Sequence, residues 1–148
     1  MKLAVLIIVV GLVAALIYPR VAPLKQTKFH TRSEVTAPGD YETANSYRIV
    51  REVTVAPEKV LGVVKDLAMQ TPRTELFAGS IDAQFVTFET RSKWFGFPDY
   101  TTVQIITDDD DTLLEIYGRA RFGVSDLGVN RKRVLRWLDE LGLLTVAA

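Results

Sequence analysis

Arginine and acidic side chains are concentrated near the carboxyl end of the sequence, and they have the clearest potential for binding chemistry. The run from Ser125 to Arg133 joins a glycine-containing turn to a segment with helical spacing. Backbone N–H groups at a helix start favour anions, and guanidinium groups bind carboxylates and phosphates through paired hydrogen bonds. The sequence therefore predicts a candidate ligand or partner site. Its members are Arg91, Asp99, Arg119, Arg121, Ser125, Asp126, Asn130, Arg131 and Arg133.

Internal ion pairs are an alternative role for the same arginines. Asp99, Asp126, Glu89 and Glu115 supply enough carboxylates to neutralise them. Charge clusters on solvated faces are common, and exposed ion pairs of this kind contribute little to stability. The structural role is therefore favoured over convergence on an anion. In either case, Asp126 is a candidate orienting partner for one arginine.

Catalytic chemistry has little support in the sequence. The chain contains no cysteine, and its only histidine, His30, lies in a polar segment outside the predicted domain. Ser125 and Asp126 lack the histidine and the nucleophile-elbow pattern of a serine hydrolase. A hydrolase that uses the carboxylates of Asp99 and Asp126 is a weaker hypothesis. No cofactor or metal is predicted, because the acidic run 108–111 lacks the ligand spacing and the glycine of a calcium loop.

The amino-terminal segment predicts attachment to a membrane. Residues 3–18 carry no charge, and as a helix they would span about 24 Å of a hydrocarbon core of about 30 Å. Lys2 and Arg20 flank this segment, and Tyr18 suits the interface. A cleaved signal peptide is the alternative, but a retained anchor is favoured because apolar residues continue through the possible cleavage site. A signal-like start normally directs export of the rest of the chain, so we place the domain outside the cytoplasm.

Beyond the anchor the sequence predicts one globular domain. We assign residues 1–24 to the anchor, 25–45 to a polar tether and 46–148 to the domain. Apolar periodicity and turn residues predict the order β-α-β-β-β-β-α. The expected fold is α+β, with an antiparallel sheet of about five strands that two helices cover on one face, leaving the other face open. This element order is similar to the TATA-binding-protein and helix-grip folds.

Local patterns give further expectations for the site. Asn130 is expected to cap the last helix. Arg131 is expected to align with the apolar stripe that faces the sheet, whereas Lys132 should lean to solvent. Trp94 is expected on the core face of its strand. The aromatic residues of 94–100 could form an exposed tip at a membrane interface, but core packing of most of these rings is favoured.

Three segments carry a family resemblance. They read TPRTELFAGS at 71–80, TRSKWFGFPDYTTV at 90–103 and RARFGVSDLGVNRKRV at 119–134. Over about residues 47–141, they resemble the bacterial and plastid family known as domain of unknown function 1499. The resemblance implies the domain boundary and an envelope location, and short apolar anchors occur in its bacterial members. We therefore expect a single-pass protein of the bacterial cytoplasmic membrane with its domain on the periplasmic side.

Together these features predict a membrane-anchored cell-envelope domain. The leading hypothesis is a non-enzymatic accessory or assembly subunit that binds a protein partner in a membrane complex. The alternative is a binding module for a small anionic or lipid-like ligand, held between sheet and helix by the arginines. No nucleic-acid partner is expected, because 18 basic and 18 acidic residues give a formal net charge of zero.

Overall fold

The computed structural model describes residues 1–34, 37–108 and 111–145. The helices are α1 (Lys2–Val21), α2 (Pro57–Gln70) and α3 (Val129–Leu141), and the strands are β1 (Gly39–Thr43), β2 (Ser46–Glu52), β3 (Thr74–Ser80), β4 (Phe85–Arg91), β5 (Pro98–Asp108) and β6 (Asp111–Ala120). Short 3-10 turns occur at Gln26–Lys28 and Gly142–Leu144.

The strands form a single antiparallel sheet in the order β1-β2-β6-β5-β4-β3. The predicted α+β fold with an antiparallel sheet is confirmed. The sheet has six strands rather than about five, because Gly39–Thr43 pairs with β2 inside the segment predicted as a tether. This edge strand is polar and mostly exposed, so it lacks the apolar alternation that reveals a strand in a sequence.

The hydrophobic core lies between one face of the sheet and the helices α2 and α3. Its largest buried side chain is Trp137 of α3, which meets Phe88 edge-on with ring centroids 6.0 Å apart. The indole Nε1 donates a hydrogen bond to Thr71 Oγ1 at 3.0 Å. Pro57 opens α2 at its first position, as predicted, because its fixed φ suits the first turn of a helix.

The second face of the sheet is covered by residues 22–34, which we call the strap. Phe29 is 6% exposed, and its ring stacks on Tyr100 with centroids 4.3 Å apart. His30 Nδ1 lies 2.9 Å from Thr87 Oγ1 of β4. The prediction of an open face is therefore wrong. The strap also includes the first part of the predicted polar tether.

Polar side chains of β5 and β6, together with Arg121 just after β6, hold the backbone of the strap. The donors are the side chains of Thr102, Gln104, Arg119 and Arg121. They bond to the carbonyl oxygens of Ala22, Pro23, Phe29 and Ser33. For example, Gln104 Nε2 donates to Ser33 O at 3.1 Å. A covered backbone carbonyl needs a hydrogen-bond partner. These four polar side chains are thus bonded to protein backbone.

The amino-terminal helix α1 is exposed along almost its whole length. Its mean hydropathy is 2.4, and by length and composition it is the one helix of the described chain that could cross a membrane. Twenty residues at about 1.5 Å each give about 30 Å, which matches a hydrocarbon core of about 30 Å. A signal sequence has the same length and composition.

Candidate functional site

The loop that leads into α3 is closed by Asp126. Its Oδ1 accepts a hydrogen bond from Gly128 N at 2.9 Å, and its Oδ2 accepts hydrogen bonds from Asn130 N at 2.9 Å and Asn130 Nδ2 at 2.7 Å. Gly128 precedes the helix with φ of 75°, which a residue with a side chain rarely adopts. The prediction that Asn130 caps the helix is wrong. The cap is supplied by Asp126, and Asn130 lies fully buried within the first turn.

A chain of polar contacts continues from Asn130 across the end of the sheet. Arg133 Nη1 donates to Asn130 Oδ1 at 2.7 Å, and Arg133 Nη2 lies 3.2 Å from Asp99 Oδ2 of β5. Burial raises the pKa of Asp99 above its ordinary value, although Arg133 opposes this rise. Burial also lowers the pKa of Arg133, although Asp99 opposes this fall. Burying this ion pair is therefore unfavourable, and the surrounding hydrogen bonds offset that penalty.

Arg133, and not Arg131, is the arginine of α3 that faces the sheet. The side chain of Arg133 is 8% exposed, whereas that of Arg131 is 53% exposed and lies 3.6 Å from Glu42. The predicted alignment of Arg131 is wrong because the inward stripe is centred on Val134 and Trp137. Lys132 is exposed, as predicted.

The sheet separates the predicted arginine cluster into two groups. Arg91, Arg119 and Arg121 lie on the strap face; Arg91 pairs with Glu89 at 2.6 Å, and the other two bond to the strap. Arg131 and Arg133 lie with α3 on the opposite face. These five side chains therefore do not converge on one anion, and most of their contacts are internal.

A cavity of about 410 Å³, which we call the apolar pocket, lies between the turn 92–97 and the loop 120–129. Its lining is Ser92, Phe95, Phe97, Asp99, Ala120, Phe122, Gly123, Ser125, Asp126, Leu127 and Val129. Three predicted site residues, Asp99, Ser125 and Asp126, therefore border one cavity. The aromatic and aliphatic walls were not predicted as part of a site, since exposed and core aromatic residues look alike in a sequence.

The turn 92–97 forms an exposed aromatic tip. Trp94 is 76% exposed and Phe95 50%, while Tyr100 is buried. The prediction that most of these rings pack in the core is therefore wrong. Ser92 closes the turn, since its Oγ accepts a hydrogen bond from Phe97 N at 2.9 Å. Strand alternation has ended by Trp94, which consequently does not share the core face of β4.

The end of α1 contacts the wall of the apolar pocket. The ring of Tyr18 meets Phe122 edge-on with centroids 6.0 Å apart, and Phe122 lies 6.1 Å from Phe97. Arg20 lies against the aromatic tip: a Cβ atom at Gly96 would come within 2.9 Å of Arg20 Cζ, so glycine permits this approach. The apolar pocket therefore opens beside the point where α1 ends.

The described residues contain no group of three or more histidine, aspartate or glutamate side chains that could hold a metal ion. Ser125 Oγ accepts a hydrogen bond from Leu127 N at 3.2 Å within the loop. Asp99 and Asp126 are both committed to arginine, asparagine and backbone donors. The chemistry that this arrangement offers is therefore an apolar cavity with two carboxylates at its edge.

The fold and the site define a class: an antiparallel α+β domain that follows one apolar helix and carries an apolar pocket beside that helix. Residues 20–141 match the model of the family described as "Protein of unknown function (DUF1499)". The chain belongs to this family, which confirms the resemblance. The match starts at the end of α1, so the strap and β1 lie inside the family unit. No curated protein matches the chain.

Proposed function

We propose that this protein is a membrane-anchored binding module that holds a lipid-like molecule in the apolar pocket. The single observation that carries the proposal is the contact of Phe122, a wall of the pocket, with Tyr18 at the end of the apolar helix. If α1 crosses the bilayer, the pocket opens at the depth of the membrane interface. Aromatic side chains favour that depth. A molecule could then move between lipid and pocket without crossing bulk water.

The lining of the pocket supports an apolar ligand. Ligand sites are typically concave and mainly apolar, with few polar groups and a volume of about 300–1,000 Å³. Here the rings of Phe95, Phe97 and Phe122 are among the lining side chains. The two carboxylates, Asp99 and Asp126, stand at the edge and are bonded to donors of the protein itself.

The exposed surface around the pocket supports the same conclusion. Nine large apolar side chains beyond α1 are exposed in the described chain, and six of them flank the pocket. These six are Trp94, Phe95, Phe97, Val124, Leu127 and Val129. A soluble surface rarely concentrates apolar residues in this way unless it meets lipid, ligand or a partner. The proposed location is a bacterial cytoplasmic membrane, with the domain on the periplasmic side.

An accessory or assembly role would use the same surface to bind a protein partner. We favour a lipid-like ligand because the surface surrounds a cavity and adjoins α1. A carboxylate-dependent hydrolase has weaker support, since Asp126 closes the loop before α3 and Asp99 is paired with Arg133.

Binding of a fluorescent fatty acid to the full chain in nonionic detergent tests the proposal. We expect saturable binding that weakens at least about tenfold, or about 1.4 kcal/mol, in Leu127→Gln and Phe95→Gln. Both side chains are exposed, so these variants should fold. Leu76→Gln is the matched control, because Leu76 is also exposed and does not line the pocket. Non-saturable binding, or equal loss in the control, would reject the pocket. A co-purified protein that protects Leu127 and blocks the probe would favour the assembly role.

A further inference from the structure

A second cavity, which we call the cationic pocket, borders the apolar pocket and has a volume of about 400 Å³. Its lining is Thr71, Pro72, Arg73, Thr90, Val129, Lys132, Arg133 and Arg136. Four of these side chains carry positive charge, and no acidic residue is among them. Val129 lines both cavities. The ion pair between Arg133 and Asp99 also links them, since each cavity is lined by one of its members.

Internal pairing does not neutralise the cationic pocket. Of its four cations, only Arg133 forms an ion pair in the described part of the chain. Arg136 donates to Thr71 Oγ1 at 2.8 Å, and Arg73 Nε donates to Arg91 O at 2.9 Å. These acceptors are neutral, so they fix the guanidinium groups without cancelling their charge. The charge of Arg136 is also one of the causes, after burial, that lower the pKa of Arg133.

The position of these cations is unfavourable without an anion. Lys132 lies in the first turn of α3, where the helix dipole disfavours positive charge, and Arg133 follows it directly. Arg73, which comes from a separate segment before β3, has φ of 59°, an uncommon conformation for a residue with a side chain. Two segments of the chain thus bring like charges to one cavity. A bound anion would offset their repulsion.

We infer that the cationic pocket binds a phosphate group. Three arginines and a lysine offer donors from several directions. Phosphate accepts charge-assisted hydrogen bonds at several oxygens and suits such a set of donors. Resting on the proposed function, we further assign this phosphate to the head of the lipid-like molecule whose apolar part occupies the apolar pocket.

Arg73 lies near the end of α1, where a lipid headgroup at the membrane surface would be expected. Arg73 also lines a cavity with Arg20 and Gly96, at the end of α1. The cationic pocket therefore reaches the same side of the domain as the apolar pocket. A molecule with its acyl chain in the apolar pocket and its phosphate in the cationic pocket would contact Val129, which lines both cavities.

Titration of the full chain with inorganic phosphate in nonionic detergent, at constant ionic strength, tests the site. We expect a melting temperature that rises with phosphate, because a ligand of the native state stabilises it. Lys132→Gln and Arg73→Gln should each weaken phosphate binding about tenfold, or about 1.4 kcal/mol. Arg131→Gln is the matched control, since it removes the same charge from the same helix turn outside the cavity. No phosphate response, or equal weakening in the control, would overturn the site.

A comparison of glycerol phosphate with short-chain phosphatidic acid tests the link to a lipid. If both groups belong to one ligand, the acyl chains should tighten binding at least about tenfold, and Leu127→Gln should abolish that gain while leaving glycerol phosphate binding unchanged. Equal binding of the two compounds would retain a phosphate site and reject the lipid headgroup. Fatty-acid binding without a phosphate response would reject the phosphate site and retain the proposed function.

Discussion

Phe29 provides a direct test of the strap, because its ring is buried between the strap and the sheet. Truncation of a buried phenylalanine to alanine typically costs about 3–5 kcal/mol. Stacking on Tyr100, with centroids 4.3 Å apart, adds about 0.5–1.5 kcal/mol beyond the buried area. The strap lies at the surface and can relax after truncation, so we take the lower end of this range. We expect Phe29→Ala to lower the free energy of unfolding by about 3 kcal/mol.

Chemical denaturation of the full chain in nonionic detergent, followed by the fluorescence of the two tryptophans, measures this change. Since about 1 kcal/mol corresponds to roughly 4 °C in a domain of this size, the melting temperature should also fall by roughly 12 °C. Phe95→Ala is the control, because that ring is 50% exposed and its loss should cost less than about 1 kcal/mol. Equal stability of the two variants would show that the strap does not cover the sheet in solution.

Three further predictions concern the cap, a buried carboxyl group and the strap. Asp126→Ala should lower the free energy of unfolding by about 2 kcal/mol, since three hydrogen bonds are lost, whereas Ser125→Ala should lower it by about 0.5 kcal/mol in the same denaturation assay. Burial raises the pKa of Glu115 above 4.5, so ionised Glu115 is unfavourable in the folded state and that penalty disappears as the pH falls towards 4.5. The difference in unfolding free energy between wild type and Glu115→Gln should therefore shift in favour of wild type as the pH is lowered from neutrality, and a constant difference would contradict this reasoning. Removal of residues 1–20 should leave a soluble, cooperatively melting domain, whereas removal of 1–34 should cause aggregation, which size-exclusion chromatography would detect.

The alternation of β6 was predictable because apolar and polar side chains alternate there from Leu114 to Arg119. Leu114 and Ile116 reach the helix side, and Glu115 and Arg119 reach the other side, as the period of two requires. The positions of α2 after β2 and of α3 after β6 also follow from apolar spacing. These patterns are sufficient for the fold class and for most of the elements.

The strap was not predictable from the same patterns. Thr102, Gln104 and Arg119 look like residues of a solvated face, because their side chains are polar. A hydrogen bond to water and a hydrogen bond to a backbone carbonyl leave the same sequence pattern. Phe29 was the available signal, since a large aromatic residue in a polar segment gains free energy by burial.

The rotation of α3 about its own axis decides which of its side chains face the sheet. Successive helix residues differ by about 100° around the axis, so the choice between Arg131 and Arg133 depends on the phase of the helix. Trp137, which is 1% exposed, fixes that phase, and Arg133 lies one turn before it. Helical spacing predicts Val134, Leu135, Leu138 and Leu141 as the apolar positions; Val134 and Leu141 are buried, whereas Leu135 and Leu138 are only partly buried.

The contacts of α3 also distinguish the two roles predicted for its basic residues, which are internal ion pairing and anion binding. Internal pairing accounts for Arg133, through Asp99, and for Arg131, through Glu42. It does not account for Lys132 and Arg136, which line the cationic pocket without an ion pair in the described chain. Helix stability would favour acidic residues in the first turn. The basic residues that pairing leaves unexplained are therefore the ones that the proposed phosphate site requires.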